Sequence, residues 1–121
     1  MRLVADILVL FVAALHVLFL ILEMFLWTKP FGRRTFGLSR ELAEATKGLA
    51  ANQGLYNGFL AAGLIWGVVE HVFALQVFFL GCVIVAGIFG AITAKRSILF
   101  VQALPGLIAL VAVYVNFRGI R

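Results

Sequence analysis

Charge is scarce in this sequence. Only 12% of its 121 residues are Asp, Glu, Lys or Arg, against 64% apolar, and a soluble domain carries about twice that charge. A water-soluble enzyme and a disordered tail are excluded on that ground, and the mean hydropathy of +1.15 agrees. Cysteine is nearly absent: Cys82 stands alone, which excludes an internal disulfide and any Cys-based metal cluster, and it reads as a small buried apolar residue. Histidine is limited to His16 and His71, at different depths, so neither a metal nor a heme site is expected. No His-Glu-x-x-His, Walker loop or Gly-x-Ser-x-Gly occurs. The chain is basic, with a net charge of +5. Its Lys and Arg residues are scattered among long uncharged runs, the pattern of membrane topology signals and not of a nucleic-acid face.

What is abundant is uninterrupted apolar sequence. A hydrocarbon core of about 30 Å takes ~20 apolar residues per helix, and four stretches meet that length, near 3–27, 48–69, 72–93 and 98–117. They leave no room for a soluble module, so residues 1–121 read as a single integral membrane domain. Ala43-Glu44-Ala45 imitates a signal cleavage site, but the first run is too long for a signal core and contains His16 and Glu23; it is a permanent span. The expected fold is an all-α membrane protein, a four-transmembrane-helix antiparallel bundle. Trp27 marks an interfacial belt, Pro30 stops the first helix and Phe31-Gly32 turns the chain. Ser39 is placed as an N-cap with Glu41 and Glu44 after it, so a short helical extension of the second span into the cytoplasm is expected. Only Glu70 and His71 separate the second and third spans, which must form a hairpin. Pro105-Gly106 should kink the fourth and free the Val101 carbonyl.

Loop charges set the orientation. Lys29, Arg33, Arg34, Arg40 and Lys47 in the first loop, with Lys95 and Arg96 in the third, make seven positive residues on one side. Arg2, Arg118 and Arg121 make three on the other. The positive-inside rule puts the first and third loops in the cytoplasm and both termini outside, in a fixed orientation in the plasma (inner) membrane. Small residues recur at four-residue spacing, Gly54–Gly58–Ala62 and Ala86–Gly90, and let helix backbones approach closely. Packing within the chain is the first use of these faces; a homo-oligomer seam is the alternative.

Polar groups inside a span are costly unless paired, which makes them informative. His16 and Glu23, seven residues apart, fall on nearly one face of the first span, about 10 Å apart along its axis. Asn52, Gln53, Tyr56 and Asn57 cover one arc of about 140° on the second, with Gly54, Gly58, Ala61 and Ala62 on its other side. Gln102 enters the fourth span, and Thr93 closes the third, from the same cytoplasmic side. One convergent cluster of His16, Glu23, Asn52, Gln53, Tyr56, Asn57 and Gln102 is therefore expected, open to the cytoplasm. Helix cross-linking by amides would explain one or two such groups, since those bonds average about 0.6 kcal/mol. A carboxyl, an imidazole and several amides on facing arcs point instead to a cavity for a small ligand or proton. Arg2, Asp6, Glu70 and His71 read as solvated, and Gln76 and Asn116 as hydrated near the outer face.

Two segments carry a family resemblance. Leu15-His16 through Leu22-Glu23-Met24-Phe25-Leu26-Trp27, continued by Arg33-Arg34 and Phe36-Gly37-Leu38, is one; Leu49-Ala50-Ala51-Asn52-Gln53-Gly54-Leu55-Tyr56-Asn57-Gly58 through Gly63 is the other. Together they resemble domain-of-unknown-function family 1304, small bacterial membrane proteins with four spans, over essentially the whole chain. The resemblance implies that His16, Glu23, Asn52, Gln53, Tyr56 and Asn57 belong to the family's motifs.

Three functions fit the residues. In the first, Glu23 is the proton-linked or cation-binding carboxyl of a small-molecule or ion binding or transport protein, His16 a relay, and the amides with Tyr56 line the path. In the second, an intramembrane enzyme uses a His–Glu pair on a lipid, sterol-like or quinone substrate. In the third, the cluster fixes helix register in an accessory subunit. Binding or transport ranks first. The expected partners are the lipid bilayer and a small ligand, and no nucleic acid.

Overall fold

The computed structural model describes residues 2–120, so Arg121, counted above among the terminal charges, lies outside the described residues. The chain forms α1 (Arg2–Met24), α2 (Pro30–Phe36), α3 (Arg40–Val69), α4 (Phe73–Thr93), a π-helical turn (Leu99–Ala103) and α5 (Leu104–Ile120), with no strand among the described residues. Three segments are long and apolar enough to cross a membrane: Arg2–Met24, Phe73–Thr93 and Leu99–Gly119. Helix α3 is not among them, because Asn52, Gln53, Tyr56 and Asn57 dilute its apolar sequence.

The helix ends follow from local chemistry. Lys29 is extended and Pro30 takes the first helical position of α2, where its fixed φ fits and no N–H is missed. This corrects the expectation that Pro30 stops the first helix and Phe31-Gly32 turns the chain: α1 already ends at Met24, the chain turns over residues 25–29, Pro30 opens a helix, and a second turn follows at Gly37. Gly37 is left-handed (φ 65°), and the Leu38 N–H reaches the Arg33 carbonyl at 2.8 Å, a closure that favours glycine. Ser39 caps α3 as expected, its Oγ accepting the Leu42 N–H at 3.1 Å. Helix α3 then runs unbroken for 30 residues, ~45 Å by helical rise. It ends with His71 left-handed at φ 54° and the Val72 N–H on the Gly67 carbonyl at 3.0 Å. Pro105 does more than kink the fourth segment. Ahead of it the backbone widens into the π turn, with the Leu104 N–H on the Leu99 carbonyl, which gives room to the ring that an α-turn would press onto a carbonyl.

The described chain divides into two compact units, one of Met1–Leu15 with Leu60–Arg121, the other of His16–Phe59. The core of the first takes one stripe from each helix: Ala5, Val9, Val12 and Ala13; Ala61, Leu64 and Val68; Leu80 and Val83; Ala109, Ala112 and Val113. Spacings of three and four put each set on one face. The outward faces are no less apolar. Leu3 is 72% exposed, Ile92 79% and Val85 68%, a surface suited to lipid and unlike that of a soluble protein.

Three expectations are corrected within this unit. Gln76 is buried, not hydrated: its Nε2 donates to the Gly67 carbonyl at 2.9 Å. The helices come close enough for this because Gly67 has no Cβ, which would sit 2.8 Å from Gln76 Cγ. The small-residue contact of α4 is at Gly87, where a Cβ would lie 2.7 Å from the Ala103 nitrogen. Ala86 is exposed, whereas Gly90 packs on Ile98. Cys82 is half-buried rather than enclosed.

The second unit joins the end of α1, α2 and the first two thirds of α3. Gly32 rests against the Leu26 carbonyl, leaving no space for a side chain. The Trp27 ring packs on Phe36 at 4.9 Å between centroids, and its Nε1 donates to Thr46 Oγ1 at 3.0 Å.

Candidate functional site

The site is built from a short repeated phrase on α3, Gln53-Gly54 and Asn57-Gly58. At four-residue spacing the two amides stack along one edge and the two glycines along the next. The glycines bring in α1. A Cβ on Gly54 would lie 2.7 Å from Met24 Cγ and 3.1 Å from Glu23 Cβ, and one on Gly58 would lie 2.7 Å from Leu20 Cδ1. With the backbones this close, short amide side chains span the gap. Gln53 Nε2 donates to Glu23 Oε2 at 2.7 Å, and Asn57 Nδ2 donates to Oε1 at 2.5 Å. Glu23, in the last turn of α1, is 5% exposed. Each of its oxygens takes one N–H from α3 and keeps a lone pair beyond it.

A cavity of about 290 Å³ opens beside this carboxylate, lined by Glu23, Met24, Phe25, Trp27, Thr28, Lys47, Gly48 and Ala51. That is just under the usual range for ligand pockets, about 300–1,000 Å³. Gly48 and Ala51 are small residues of the lining, and Thr28 and Lys47 are its polar members besides Glu23. Lys47 Nζ is also paired with Glu44 at 3.2 Å.

The predicted residues are distributed as follows. Glu23, Gln53 and Asn57 are brought together. His16 is fully buried in the same unit with its ring edge on Phe19, 5.2 Å between centroids. Asn52 and Tyr56 are exposed, Tyr56 resting edge-on against Phe59. The polar arc of α3 therefore splits, and the glycines lie beside its inner edge instead of opposite it. Gln102 belongs to the other unit, where its Nε2 approaches the Val83 carbonyl at 3.5 Å; Thr93 bonds back to the Phe89 carbonyl. Thr28 and Lys47 as wall residues, and Thr46 as the anchor of Trp27, were not foreseen. The available signal was helical phase: Lys47, Gly48 and Ala51 lie one to two turns before Gly54.

The arrangement can hold a charge-bearing or hydrogen-bonding group at Glu23. Among the described residues no group of three or more His, Cys, Asp or Glu could hold a metal ion. The family model described as protein of unknown function (DUF1304) matches residues 10–114. The chain belongs to the DUF1304 family. The DUF1304 match takes in Glu23, Gln53, Asn57 and every residue of the cavity wall. No curated protein and no solved structure matches the chain.

Proposed function

We propose that this DUF1304 protein binds a small cation, or a protonated small molecule, at Glu23, as part of binding or transport across the membrane. The observation that carries the reading is a nearly buried Glu23, its two carboxyl oxygens bonded to two amides, among the residues that line a cavity. A buried charge calls for compensation; Gln53 and Asn57 supply dipoles without neutralising it, and Lys47 in the lining is already paired with Glu44. A cation entering the cavity does so. Trp27 and Phe25 are among the lining residues, and aromatic rings attract organic ammonium groups.

The same reading places the chain in the plasma membrane as four antiparallel spans, α3 being the second. The length of α3 supports this, since ~45 Å exceeds a core of about 30 Å and leaves its first turns in the cytoplasm. The seven-to-three charge bias supports placing the cavity end on the cytoplasmic side.

Trp27 makes the test direct. Purified protein is titrated with alkylammonium ions of increasing size, and tryptophan fluorescence is followed. The wild type should show a saturable change. Glu23→Gln, which keeps shape and removes charge, should melt at or above the wild-type temperature yet lose the response. If the cluster only fixes helix register, Glu23→Gln is silent, no response appears in either protein, and Glu23→Ala and Asn57→Ala both destabilise strongly.

A further inference from the structure

Between Met24 and Arg40 the chain carries four basic residues, Lys29, Arg33, Arg34 and Arg40, and no acidic one. None of the four takes part in an ion pair among the described residues, where the pairs are Arg2–Asp6 and Lys47–Glu44. Arg33 stands out. Its Nε is shut off from water and has no hydrogen-bond partner among the described residues, and a buried N–H without an acceptor is costly.

The backbone presents these charges rigidly. The Arg33 N–H bonds to the Lys29 carbonyl at 2.9 Å, so the backbones of Lys29 and Arg33 are tied one helical turn apart. That turn is fixed at one end by Gly32 on the Leu26 carbonyl and closed at the other by left-handed Gly37. The same stretch of chain carries exposed apolar rings: Phe31 is 59% exposed and Phe25 64%. The segment follows directly on α1, a helix apolar enough to cross a membrane.

We propose that Lys29 and Arg33, flanked by Arg34, form a binding site for the phosphate of an anionic phospholipid. The non-bridging phosphate oxygens accept from the terminal guanidinium nitrogens of Arg33, a half-buried residue, and from the Lys29 ammonium. The exposed Phe31 lies against the acyl chains. A zwitterionic lipid fits less well, because no acid in this segment meets a choline or ethanolamine ammonium. A free phosphate fits less well, because it leaves the exposed rings of this stretch uncovered.

The test uses the full chain in a neutral detergent, with phosphatidylglycerol, phosphatidylcholine or inorganic phosphate added. Native mass spectrometry should show phosphatidylglycerol retained and phosphatidylcholine lost, and phosphatidylglycerol alone should raise the melting temperature. Lys29→Gln with Arg33→Gln should weaken phosphatidylglycerol binding by about 25-fold, at roughly fivefold per removed charge, without changing the melt in lipid-free detergent. If the Arg33 variant proves unstable there, Lys29→Gln with Arg34→Gln, both at exposed positions, should still weaken lipid binding by a similar factor. Equal phosphatidylglycerol binding by wild type and folded variant overturns the proposal. So does equal retention of phosphatidylcholine, and so does equal stabilisation by inorganic phosphate.

Discussion

His71 holds a backbone angle that side chains avoid. At φ 54° it closes α3 and starts the hairpin into α4, a conformation costing a non-glycine residue about 1–2 kcal/mol. Its compensation is an exposed bond from Arg2 to His71 Nε2 at 3.2 Å, worth little in water. His71→Gly should therefore stabilise the protein by about 0.5–1 kcal/mol, read as a higher melting temperature in detergent. An unchanged or lower melt would mean that the Arg2 contact outweighs the strain. At this scale the sequence was partly legible. Glu23 with Gln53 and Asn57 could be found, because a carboxyl and amides inside apolar runs need one another. That Asn52 and Tyr56 turn outward could not, since an arc of about 140° is wider than one helix contact. Gln76 was misplaced because its distance from the helix end suggested water, whereas the hairpin offered it the Gly67 carbonyl.

Helices are joined here by missing side chains. Gly54 and Gly58 seat α3 on Leu20, Glu23 and Met24, and Gly87 and Gly106 seat the last segment on α4, with a Cβ on Gly106 only 3.0 Å from Val83 Cγ1. Gly58→Leu should force the α1 and α3 segments of the second unit apart, lengthen the Asn57–Glu23 bond and destabilise by about 1–3 kcal/mol. Gly48→Leu, at a position where a Cβ meets nothing within 4 Å, should cost far less. Thermal melts of the pair check this, and equal melts would place the Gly58 face against lipid. Hydropathy and the Ser39 cap were enough to locate the long helices. They did not reveal α2, since seven residues containing Pro and Gly give no periodic signal. Nor could spacing tell Ala86–Gly90 from Gly87, because a run of small residues offers several four-residue registers.

For the whole molecule, composition was the strongest signal: an apolar exterior of this extent has no stable place in water. Orientation rests on loop charges alone. A reporter fused to the C-terminus should be active only outside the cytoplasm, and reversing the bias, by Lys95→Glu and Arg96→Glu with three neutralised charges in the first loop, should weaken or invert that result. A cytoplasmic reporter in the unaltered chain would move the Glu23 cavity to the opposite side of the membrane. The π turn bears on something else, the tolerance of the chain to changes in its length. Where hydrogen bonds run five residues back instead of four, the chain holds one residue more than an α-helix of the same height. That residue is removable. Deleting Val101 together with Pro105→Ala should convert Leu99–Ala103 to ordinary α-helix and keep Ala109, Ala112 and Val113 facing inward. Deleting Ile108 should rotate those three by about 100° and abolish a monodisperse product. The turn thus marks a place ahead of Ala109, Ala112 and Val113 where the last segment can lose a residue and keep its core.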